Sequence, residues 1–254
     1  MIATGLVVAG TAACGGPSHG PSAAAGHCPS LVVPAYFTPQ PTSRWARIDR
    51  ARHAVRWVIL NPDNGPGRAP AAGYEAVVRR DRRAGIAVLG YVPTGQGRRA
   101  RASVLGKVDR YRHFYGVNDV FFDEAPTGRR FEERYRAFVA AVHAHHGFAV
   151  LNPGTTPARG YFDFADAIVT FESGATAYRH AHRGSIRPRG LPAAKIWNIV
   201  LGVPRGDLDR VLASARARGV GGLFVTDLGP PNPYDRLPSY WTAEVGAVSA
   251  RRCP

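Results

Sequence analysis

The sequence predicts a (β/α)8 barrel of the TIM type, on three observations. Eight short apolar runs recur along its 254 residues, helix-length amphipathic segments lie between most of them, and several runs end in a carboxylate or an amide. Runs that are apolar throughout, rather than alternating, suit parallel strands covered on both faces. Strand and helix exchanging every 20–30 residues or so describe βαβ units. Polar residues at the strand ends would then gather on the C-terminal rim, where such barrels carry their sites. The length fits one barrel, and 45% hydrophobic with 10% aromatic residues can fill its core.

The strands are predicted at residues 31–37, 55–60, 86–92, 119–124, 148–152, 167–172, 196–201 and 222–226. A helix over 74–84 sets Val77 and Val78 among arginines. A second, over 131–145, spaces Phe131, Tyr135, Phe138, Val139 and Val142 on one face, with Glu132, Glu133, Arg134 and Arg136 toward solvent. A third, over 208–218, buries Leu208, Val211, Leu212 and Ala215 and stops at Gly219. Between the fifth and sixth strands, residues 153–166 contain Gly154, Pro157 and Gly160, so that βα unit should be shortened to a turn or a single helical turn. A doubly wound sheet is the alternative, but the eighth run leading back toward Cys253 favours closure.

Residues 1–30 differ from the 31–254 barrel domain. Met1 to Ala13 is apolar and small, Cys14 follows, and residues 15–26 are rich in Gly, Ser, Pro and Ala. This composition predicts an export signal and a flexible tether. Two versions are open: a lipoprotein signal, Thr11-Ala12-Ala13-Cys14, with lipid on Cys14, or a plain signal cleaved near Ala13 or Ala25. Either predicts a secreted or cell-surface protein, with Cys14 lipid as its one membrane attachment, since no later run reaches the ~18 apolar residues of a membrane span. Cys28 and Cys253 would both lie on the barrel's N-terminal face, where a disulfide could staple the chain ends. Three unrelated thiols are the competing reading. A monomer is expected.

The formal charge is +15, yet only Lys107 and Lys195 are lysines; the remaining cations are scattered arginines. A compositional bias toward Arg, Ala, Gly and Pro accounts for much of that excess. No aromatic residues interleave with basic ones as a nucleic-acid platform requires, so no nucleic-acid partner is expected.

The rim residues, strand by strand, are Tyr36, Asn61 with Asp63, Tyr91, Asp123 with Glu124, Asn152, Glu172 and Asp227. Acids, amides and phenols on one rim offer the acceptors, donors and aromatic faces that sugar hydroxyls need. Glycosidic cleavage requires one protonated carboxyl and one ionised one, and crowding carboxylates raises the pKa of at least one of them. Asp123 or Glu124 with Glu172 would form that pair, and the others would hold substrate. Asp63 and Asp227 are read equally well as helix caps or arginine partners.

Other chemistries lack support. His143, His145 and His146, like His180 and His182, have no carboxylate at ligand spacing, so no metal and no cofactor is expected. The glycine-rich 90–97 segment lacks the ending of a phosphate loop and the dinucleotide spacing. No serine or cysteine sits in a nucleophile elbow.

Seven motifs together resemble the spherulation-specific family 4 proteins: Val33-Pro34-Ala35-Tyr36-Phe37, the 58–67 segment around Asn61-Pro62-Asp63, Gly90-Tyr91-Val92-Pro93-Thr94, Val120-Phe121-Phe122-Asp123-Glu124, Leu151-Asn152-Pro153-Gly154-Thr155, Val169-Thr170-Phe171-Glu172, and Val225-Thr226-Asp227 with Asn232-Pro233-Tyr234-Asp235. The resemblance runs in order over residues 31–245. It implies a (β/α)8 glycoside hydrolase acting on galactosamine-containing polysaccharide, with acids at the Asp123, Glu124 and Glu172 positions. It also implies an endo-acting enzyme whose partner is a polysaccharide. The charge departs from that picture, because a deacetylated galactosaminan is itself cationic. Screening over about 8 Å lets local acids outweigh distant arginines, but neutral and anionic glycans are equally open. The rival readings are a glycan- or wall-binding barrel without turnover, and a matrix protein whose arginines hold anionic polymers.

Overall fold

A computed structural model describes residues 29–249; Cys14, Cys28 and Cys253, and with them the predicted signal, lipid anchor and disulfide, lie outside these residues. Eight parallel strands close into a barrel in sequential order: β1 (Ser30–Ala35), β2 (Val55–Leu60), β3 (Ala87–Pro93), β4 (Asp119–Asp123), β5 (Ala149–Leu151), β6 (Ala167–Gly174), β7 (Ile196–Leu201) and β8 (Gly222–Val225). The surrounding helices are α1 (Thr42–Arg50), α2 (Tyr74–Arg83), α3 (Arg101–Tyr115), α4 (Glu132–His143), α5 (Tyr161–Phe164), α6 (Ala175–His180), α7 (Arg183–Ile186), α8 (Leu208–Arg218) and α9 (Trp241–Ser249). The barrel predicted from the eight runs is therefore the fold, and the β5–β6 connection is the shortened one, with four-residue α5.

The predicted helix faces are the buried ones: Val77 and Val78 in α2, Tyr135, Phe138, Val139 and Val142 in α4, and Leu208, Val211, Leu212 and Ala215 in α8. Phe131 instead lies in a 3₁₀ turn before α4 and is half-buried. Helix α3 approaches β3 closely. A Cβ at Gly90 would stand 2.5 Å from the Tyr111 ring, so a side chain there would displace the tyrosine that hydrogen-bonds the Leu60 carbonyl at 2.8 Å.

Two irregularities shape the rim. Strands β1 and β8 pair only through Ser30–Gly222 and Leu31–Leu223. Beyond them the seam is filled from outside: Glu244 of α9 accepts the Val225 amide at 3.0 Å, and the Tyr36 amide donates to the Tyr234 carbonyl at 3.1 Å. Strand β6 shifts register against β7 between Val169 and Phe171. As a result Thr170 bonds Asn198 while its neighbour Phe171 packs on Tyr178, which also bonds Asn198. Two successive side chains thus take the helix side, and the next one, Glu172, turns into the barrel mouth. Bulges re-aim side chains in this way.

Two carboxyls are fully buried away from that mouth. Burial pushes Glu244 up to about 8. Burial and then the adjacent Asp49 carboxylate raise Asp81, whose neighbour Arg80 pairs with Asp49 at 2.5 Å. A carboxyl whose folded pKa exceeds its unfolded one binds more protons in the folded state, so stability falls as pH rises between the two values. The melting temperature should therefore be highest near pH 4 and decline by several degrees toward pH 8, each pKa unit being worth ~1.4 kcal/mol. Glu244→Gln should flatten the decline. Thermal melts across that range check it, and a flat or rising curve would contradict it.

Candidate active site

Strand ends and the loops after them bring Tyr36, Tyr91, Asp123, Asn152 and Glu172 together, and the β8–α9 loop adds Tyr234. Asn152 is the hub. Its Oδ1 accepts the Gly154 amide at 2.9 Å, which fixes the side-chain amide so that Nδ2 faces the acids. That nitrogen donates to Asp123 Oδ1 at 2.7 Å and to Glu172 Oε2 at 2.5 Å. Two acceptors of one amide nitrogen stand roughly 4–5 Å apart. The Gly154 carbonyl also accepts the Glu172 amide at 2.9 Å, tying the β5 and β6 tips together.

Each carboxylate has a phenol on its far side. Tyr91 donates to Asp123 Oδ2 at 2.7 Å, and Tyr234 donates to Glu172 Oε1. Burial and then the adjoining carboxylates push both hydroxyls far above their usual value, so both remain donors. Tyr36 stands between these phenols, its ring edge-on to Tyr91 at 5.3 Å and to Tyr234 at 5.0 Å. Asp123 is raised to about 6, first by burial and then by the charge of Glu172, against hydrogen bonds that favour its ionised form. Like charges this close resist being ionised together, so Asp123 keeps its proton below about pH 6.

Glu124 stands apart. It is exposed, its φ is +54°, and its Oε2 accepts the Gly95 amide at 2.8 Å. A non-glycine residue in the left-handed region is uncommon and costs energy. The strain turns consecutive acids apart: Asp123 toward the hub, Glu124 to the open rim.

The remaining candidates serve their own loops. Asn61 Oδ1 is taken by the Gly65 amide at 2.8 Å, and Asp63 is exposed in that same turn. Asp227 Oδ1 accepts the Ser239 amide at 3.1 Å in the loop before α9, neither the helix cap nor the arginine partner open to it in the sequence. Tyr234 was missed as a site residue. Its motif, Asn232-Pro233-Tyr234-Asp235, was visible, but nothing local shows that a loop after β8 reaches the tip of β6. Among the described residues no group of three or more His, Cys, Asp or Glu side chains is placed to hold a metal ion.

Known proteins resemble this chain over nearly its whole described length. Spherulin-4 of Physarum polycephalum is 27% identical over 237 residues, covering 87% of this chain and 70% of the relative. The crystal structure of Aspergillus clavatus Sph3 in complex with GalNAc superposes with a TM-score of 0.80 at 22% identity, covering 89% of this chain and 99% of that one. The Bacillus cereus spore cortex-lytic enzyme SleL shares the barrel at a TM-score of 0.53 and 10% identity, covering 87% and 74%. At these identities the structural likenesses concern the fold. The model of the spherulation-specific family 4 matches residues 30–248, and the chain belongs to that family.

Proposed function

We propose that this protein is an exported, endo-acting glycoside hydrolase that cleaves N-acetylgalactosamine-containing polysaccharide. The observation that carries the reading is the Asp123–Glu172 pair, held by one amide at the barrel mouth, with Asp123 raised to about 6 beside Glu172. Glycosidic cleavage needs one protonated and one ionised carboxyl flanking the bond. Asp123, the raised member, is the proton donor to the leaving oxygen. Glu172, which accepts from both Asn152 and Tyr234, is the ionised group that faces the anomeric carbon. Their roughly 4–5 Å oxygen separation is nearer the ~5–5.5 Å of retaining enzymes than the ~6.5–9.5 Å of inverting ones. Glu124 on the open rim, with Tyr36 and Tyr91, orients the sugar.

The sugar class draws support from Sph3, a barrel of the same fold complexed with GalNAc. Export draws support from the apolar start, Cys14 and the small-residue tether, with Cys28–Cys253 as a bridge of the oxidising compartment. The test is release of new reducing ends from purified polysaccharides that differ in N-acetylgalactosamine content. Cleavage confined to those containing it supports the reading. Binding without any new ends would instead make this a glycan-binding barrel.

A further inference from the structure

Beside the acid pair, the rim holds a cavity of about 450 Å³ between the β3–α3 and β4–α4 loops. Its lining includes Gln96, Arg98, Ala125, Arg130, Phe131 and Pro153. The cavity adjoins the centre through the chain itself: Ala125 is two residues beyond Asp123, and Pro153 follows Asn152. Its volume lies within the range of about 300–1,000 Å³ usual for small-molecule sites.

The chemistry of this cavity is opposite to that of the acid pair. Two arginines and no carboxylate line it. Among the described residues neither Arg98 nor Arg130 forms an ion pair with an acid, although many arginines elsewhere on the chain do. The nearest rim acid, Glu124, already accepts the Gly95 amide. The Arg130 guanidinium sits 5.4 Å from the Phe131 ring centroid. That ring is in turn fixed against Gly97, where an added Cβ would lie 2.8 Å from it. A guanidinium placed by an aromatic ring offers its donor fork with part of the ordering cost already met. Guanidinium forks match carboxylate, sulfate and phosphate oxygens better than they match neutral hydroxyls.

Building on the hydrolase reading, we propose that this cavity is a subsite for a sugar unit carrying an anionic group, next to the bond that is cleaved. The substrate would then be an N-acetylgalactosamine-containing glycan with acidic units, not a cationic galactosaminan. A polymer of that kind also suits a chain of formal charge +15.

The test uses three oligosaccharides of one backbone: N-acetylgalactosamine units, the same oxidised at C6 to the uronate, and the same sulfated at C6. Calorimetric affinities are measured on the Glu172→Gln protein, with and without Arg98→Ala and Arg130→Ala together. The anionic ligands should bind about tenfold more tightly than the neutral one, and the double arginine change should bring that ratio close to one. Preference for uronate over sulfate, or the reverse, identifies the acidic group. Equal affinity for all three ligands, or a ratio unmoved by the arginine change, would overturn the subsite. Cleavage of the neutral oligosaccharide by the wild-type protein reports separately on the hydrolase reading. An arginine-dependent preference without cleavage keeps the subsite and removes the enzyme.

Discussion

Glu172→Gln is expected to lower kcat roughly 10²–10⁴-fold, the range for removing a positioned acid–base or nucleophilic group, while leaving glycan affinity nearly intact. The change keeps the shape but replaces one carboxylate oxygen by an amide nitrogen and removes the charge. Its partners are one amide and one phenol, Asn152 and Tyr234, and a glutamine in a suitable flip can still meet both. On the proposed reading, sugar binding through Tyr36, Tyr91 and Glu124 would be preserved, while the carboxylate needed in the transition state would be gone. An interaction made only in the transition state shows as equal falls in kcat and kcat/KM. Rates on a defined N-acetylgalactosamine polymer, with affinities for its oligosaccharides, provide the measurement. Near-wild-type release of reducing ends by the variant would remove Glu172 from the mechanism.

Asp123→Asn should abolish most activity and at the same time make the protein more stable at neutral pH. The folded site raises Asp123 from 3.8 to about 6 because its charge is half-buried beside that of Glu172. The sign follows from the raised value: the folded state gives up stability as pH rises from about 4 to about 6, and above that the full cost is present. Asparagine removes the charge while still offering an oxygen to Asn152 and an amide to the Tyr91 oxygen. About two pKa units correspond to ~3 kcal/mol, and partial solvation of the site reduces the expected gain to ~1–2 kcal/mol, or several degrees in Tm. Wild-type turnover should also fall as pH passes through about 6, where Asp123 loses its proton, and that limb should be missing from the residual activity of the variant. A variant that melts earlier, or that turns over normally, would show that Asp123 is a structural acid.

These two residues show how far local sequence carries. Each strand run, the amphipathic faces of α2, α4 and α8, and the weak β5–β6 unit were legible because apolar periodicity and glycine or proline placement act over a few residues. The acids at 123, 124 and 172 were legible for the same reason: each sits at the end of a recognisable run. Their division of labour was not. Neighbouring Asp123 and Glu124 read alike in sequence, and the backbone at Glu124, with φ of +54°, separates them into a half-buried hub member and an exposed rim acid.

What the chain by itself determined was a barrel with carboxylates at its strand tips, since burying continuous apolar runs on both faces leaves few other arrangements. Tertiary structure decided which of those tips meet. The β6 register shift turns Glu172 inward, Gly154 orients the Asn152 amide, and the loop after β8 delivers Tyr234 from 62 residues away. Side-chain direction depends on register, on bulges and on partners far along the chain, and none of these is encoded in any single stretch of residues.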